Sequence, residues 1–71
     1  MGWADAILQI IAVEVSTSNH GDFLKHIALA WQSADRDNKR ILRPTWLALV
    51  EKYEFGKEYA AEIAEHLPEL Q

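Results

Sequence analysis

Cysteine is absent from the chain, which excludes disulfides and thiolate metal sites. A body this small without such staples is more naturally cytoplasmic than secreted, and oligomerisation is a ready substitute for the missing cross-links. Glycine is scarce, with only Gly2, Gly21 and Gly56, so there is no glycine-rich phosphate loop. No Lys or Arg precedes Lys25, whereas a secretory signal needs a basic region ahead of its apolar run. No stretch approaches the roughly 18 consecutive apolar residues that span a bilayer, because residues 6–15 are interrupted by Gln9 and Glu14. The expectation is a cytoplasmic protein with no membrane contact.

Apolar residues, by contrast, are plentiful. They make up 49% of the 71 residues, with tryptophan at Trp3, Trp31 and Trp46. A chain of this length is one domain, residues 1–71, and hides only about 60% of its unfolded surface. The apolar supply exceeds what one such body readily buries, which predicts a partner surface and self-association.

Periodicity predicts an all-α domain of about four helices. Ala4, Ile7, Leu8, Ile11 and Val15 lie on one helical face between Trp3 and Ser16. The β-branched run at residues 10–15 favours a strand, but the chain offers no clear partner strand, and helix is expected. The turn-forming cluster "STSNHG" ends this segment.

The next stretch, "SNHGDFLKH", places His20, Asp22 and His26 close together. Asp22 precedes the apolar stripe Phe23, Leu24, Ile27, Ala30 and Trp31, so it is expected to be a helix cap, accepting from a first-turn amide. A metal site would need all three side chains on one ion, with His20 in a loop and no fourth ligand nearby. No metal is expected.

In the third segment Asp35, Asp37 and Asn38 are candidate boundaries or caps. Arg36, Lys39, Arg40 and Arg43 follow at spacings of three, one and three, a single cationic stripe on a helix. Pro44 predicts a kink or a restart. Trp46, Leu47, Leu49, Val50 and Tyr53 then resume an apolar pattern. Gly56 is expected to break the chain before a last helix from about Lys57 to Leu67, which Pro68 would stop. This carboxyl-terminal segment, residues 54–71, is acidic. From Glu51 onward Glu51, Glu54, Glu58, Glu62, Glu65 and Glu69 face only Lys52 and Lys57, which accounts for the whole net charge of −4.

"HGDFL", followed from Ala34 to Tyr53 by "AD..N...LRP..L.L..KY", resembles a group of short bacteriophage and prophage proteins. The resemblance covers about Ser18 to Tyr53 and implies a helical fold and a phage or prophage origin, hence the bacterial host cytoplasm. It implies no activity, cofactor or catalytic residue. The chain departs from the pattern after Tyr53, where it adds the acidic segment.

Nucleophilic catalysis asks for a hydroxyl or thiol activated by an oriented histidine, and Ser16, Ser18 and Ser33 sit in turn contexts instead. Catalytic residues and a cofactor are therefore not expected. Nucleic acid is disfavoured as a partner because the chain is net acidic, although the cationic stripe keeps a nucleic-acid-associated module as an alternative. A second alternative is an acidic decoy, in which the glutamates imitate phosphate spacing and block a host nucleic-acid-binding protein. The sequence favours a non-enzymatic accessory protein that acts by protein–protein contact and self-associates, with the two charged stripes as candidate partner surfaces.

Overall fold

The β-branched run at residues 10–15 is helical. In the computed structural model, residues 5–70 are described, with side chains described for residues 5–66. The expected contributions of Trp3, Ala4, Leu67 and Glu69 lie outside the described side chains. The described residues form five helices and no strand: α1 (Asp5–Thr17), α2 (Asp22–Ser33), α3 (Arg36–Lys52), α4 (Phe55–Glu58) and α5 (Ala60–Leu70).

Local polar groups fix the helix ends. At the end of α1, hydroxyls donate to carbonyls of the last turns. Ser16 Oγ donates to Val13 O at 2.9 Å and Ser18 Oγ to Glu14 O at 2.6 Å. At α2 the expected cap is corrected. Gly21, at φ 94° and ψ 161°, occupies the capping position, and no side chain caps there. Its carbonyl accepts from Lys25 N at 3.1 Å, which puts Asp22 inside the first turn. Asp22 therefore acts on this helix only through the favourable field at its amino terminus. Asp35 is a side-chain cap, its Oδ1 accepting from Asn38 N at 2.9 Å ahead of α3.

Three further boundaries differ from expectation. The third helix does not restart at Pro44, which lies inside α3. Pro44 is exposed, so the bond lost to the carbonyl four residues back is lost on the solvent side. The chain breaks at Glu54, not at Gly56. Glu54 adopts a left-handed conformation (φ 55°, ψ 38°), and Gly56 sits within the single turn of α4. The break is earlier because Phe55, only 1% exposed, must enter the core immediately after α3 ends. Pro68 does not end α5, which continues to Leu70.

Among the described side chains the core comprises Leu8, Ile11, Ala12 and Val15 from α1, Leu24, Ala28 and Trp31 from α2, Trp46 and Val50 from α3, Phe55 from α4, and Tyr59 beyond it, with Ile63 of α5 half-buried against it. The pair α1 and α2 packs most extensively. Ala12 and Ala28 are fully buried, and their small size lets the helices approach closely. Gln32 Nε2 reaches the carbonyl oxygens of both, each at 3.2 Å, and Ser16 Oγ at 3.0 Å. Trp46 Nε1 donates to Leu8 O at 3.1 Å and ties α3 to α1. No helix of the described residues is long and apolar enough to cross a membrane.

Candidate functional site

The cationic stripe occupies the amino-terminal half of α3. At 100° per residue the spacings of three, one and three keep Arg36, Lys39, Arg40 and Arg43 within a narrow arc. Together with Asp5 and Ala34 they line an open cleft of about 500 Å³. Asp35 caps the start of this helix, and Asp5, the first described residue of α1, joins the wall beside Arg43.

Each cation is held differently. Arg43 Nε donates to Asp5 Oδ1 at 2.7 Å, across a separation of 38 residues. Lys39 places its ammonium 5.6 Å from the centre of the Trp31 ring, within range of the attraction between a cation and a π face. Arg40 stands 3.7 Å from Asp37, with both side chains more than 80% exposed, so water screens that pair almost completely. Arg36 is exposed at the head of the helix, where backbone amides add positive potential. Asp35 and Asp37 flank the stripe, but neither lines the cleft. The arrangement provides charged donors, three of them forked guanidinium groups, around an open space.

The glutamates do not form one matching face. Glu51 and Glu54 line a second hollow of about 320 Å³ with Val50, Gly56 and Lys57, and Glu54 pairs with Lys57 at 3.1 Å. Glu58 turns to His20, Glu62 is half-buried, and Glu65 is exposed. Among the described residues no ion pair joins the cationic stripe to these glutamates. Arg40 and Glu51 are eleven positions apart on α3, or roughly 16 Å along its axis at 1.5 Å per residue.

His20, from the turn that drew attention in the sequence, is part of a polar strap. Its Nε2 lies 2.6 Å from Tyr59 Oη and 3.0 Å from Glu58 Oε2, and its ring meets Phe55 edge-on at 5.0 Å. Tyr59 Oη donates to Ser18 Oγ at 3.2 Å, and Ser18 donates onward to Glu14 O. Burial raises the Tyr59 phenol above its ordinary value of 10.0; the Ser18 bond opposes this, while Glu58 and Glu14 reinforce it. Among the described residues no three His, Asp or Glu side chains converge as a metal site would require. His26 is exposed and Asp22 heads α2.

Sequence reasoning missed Asp5 and Tyr59. Each works through a partner 38 or 39 positions away, and a single sequence carries no signal for such pairs. The chain matches no family model, no curated protein and no solved structure.

Proposed function

We propose that this chain is a small non-enzymatic accessory protein, of phage or prophage origin, that acts by protein–protein contact, with a second copy of itself as its first partner. The observation that carries the reading is the separation of its charges. The cationic cleft and the Glu51–Glu54 hollow occupy opposite ends of α3 and are not paired with each other among the described residues. Such surfaces suit head-to-tail contact between copies. Charge sets the register and contributes about 0 to 1 kcal/mol per pair, so apolar contact supplies most of the affinity.

The apolar surplus is smaller than composition implies, because Trp31 and Trp46 are buried within the single chain. Enough remains to support contact. Ile41 is 72% and Phe23 61% exposed, and Val13, Leu29 and Tyr53 are each more than 40% exposed. Ala6 and Val13 are exposed and Ile10 half-buried on the outer side of α1. The resemblance of residues 18–53 to short phage proteins supports the origin. Light scattering coupled to size-exclusion chromatography at micromolar concentration tests the reading. The expected mass exceeds one chain and falls on dilution, whereas a one-chain mass across a tenfold dilution series refutes it.

A further inference from the structure

We infer that the cleft at the head of α3 is a binding site for a compact polyphosphate group, and that Asp5 is a built-in competitor for it. Four cations and one carboxylate line the cleft, a formal surplus of three positive charges. Three of the cations are arginines, whose planar forks match phosphate oxygens in pairs. About 500 Å³ exceeds the need of a single phosphate and lies within the range of small-ligand sites.

The wall also limits the kind of ligand. Among the described residues Ala34 is its one apolar residue, and Trp31 beneath Lys39 is only 1% exposed. Among the described residues no aromatic face is therefore open for a nucleobase to stack on, and recognition falls on the phosphates. A long nucleic-acid strand meets a chain of net charge −4 and cannot keep its flanking phosphates inside the cleft. A di- or triphosphate concentrates its charge within the cleft, where the four cations still outnumber Asp5 and the flanking Asp35 and Asp37.

Asp5 gives the site a specific signature. Its carboxylate already accepts from Arg43 at 2.7 Å while remaining 69% exposed, so an arriving oxyanion meets an anion held by a weak, solvated pair. Replacing it with the neutral isostere removes the competitor and one negative charge together. The Arg40 side chain is 81% exposed, so its loss removes a ligand contact without disturbing packing. The site is built by one chain's cleft, and a second copy docked head-to-tail there would compete with the ligand for it.

Calorimetric titration of the full chain with tripolyphosphate and with pyrophosphate, at low and physiological salt, tests the proposal. Saturable binding is expected at one ligand per chain. Asp5→Asn should tighten it about two- to fivefold, and Arg40→Gln should weaken it by about fivefold, the scale of one exposed charge pair. Lys25→Gln, which removes a cation remote from the cleft, should leave binding unchanged. Absence of saturable binding in the wild-type chain overturns the proposal, as does equal affinity in Asp5→Asn or an equal loss in Lys25→Gln. A short single-stranded oligonucleotide that binds where tripolyphosphate does not also overturns it, in favour of contact with an extended backbone.

Discussion

His20 and Tyr59, 39 positions apart, meet at 2.6 Å and fasten the turn after α1 to the junction of α4 and α5. Tyr59 is 7% exposed, and burial holds its phenol above the ordinary value of 10.0. The folded state therefore keeps a proton that the unfolded chain releases first. This contribution is fully present below about pH 10 and is lost as pH rises through the folded-state value. Denaturant unfolding followed across alkaline pH should show stability declining above about pH 10. Tyr59→Phe should cost about 1–2 kcal/mol near neutrality, through the loss of its hydrogen bonds, and should flatten the alkaline decline. An unchanged alkaline slope in the variant would locate the effect elsewhere.

The two capping positions make a contrasting pair. Asp35→Ala should destabilise by about 1 kcal/mol, because the Asn38 amide loses its acceptor. Asp22→Ala should cost about 0.5 kcal/mol or less, since only its interaction with the helix field is removed. Equal losses in chemical denaturation would contradict the assignment of Gly21 as the capping residue of α2.

Backbone conformation predicts opposite outcomes at two sites. Gly21→Ala should destabilise by about 1–3 kcal/mol although its Cβ would meet nothing within 4 Å, because that combination of φ and ψ is open essentially to glycine alone. Glu54→Gly should stabilise by up to about 1 kcal/mol, since the left-handed conformation costs a side-chain-bearing residue about that much, and the exposed pair with Lys57 contributes little. Thermal melts of the two variants should therefore move in opposite directions.

The buried tryptophans are likewise unequal. Trp46 donates to Leu8 O, whereas Trp31 Nε1 is buried without an acceptor. Trp46→Phe removes a made bond, but Trp31→Phe removes an unsatisfied donor that itself costs about 1–3 kcal/mol. Their packing losses being similar in kind, Trp46→Phe should be the more damaging by about 1–2 kcal/mol. A larger loss at Trp31 would assign the Trp31 ring a greater role in holding Lys39.

Fold class was legible because the apolar spacing from Ile7 to Val15, from Leu24 to Trp31 and from Trp46 to Val50 is helical, and most of these residues lie in or against the core, although Phe23, Ala30 and Tyr53 of the expected stripes are exposed and the buried Ala12 and Ala28 were not anticipated. The cationic stripe was legible for the same reason, since spacing on one helix needs no knowledge of its neighbours. Four positions misled, Pro68 among them because α5 runs through it to Leu70. Asp22 has the right residue type for a cap, but a preceding glycine took the position. Gly56 is the residue a break would choose, but the burial of Phe55 forced it onto Glu54. Pro44 was tolerated because its lost bond faces water. The Asp5–Arg43 and His20–Tyr59 contacts were invisible, as tertiary pairs are in one sequence.

Gln32, whose amide spans Ala12, Ser16 and Ala28, has a consequence for the order in which the molecule assembles. The two helices it joins are connected by a four-residue turn and share the most extensive packing in the chain, so their contacts close short loops and cost little chain entropy to form. They should form the nucleus onto which α3 then docks through Trp46. Their amides should be the last to exchange with deuterium in the native state, while those of α5 open first. Gln32→Ala should slow refolding more than it speeds unfolding.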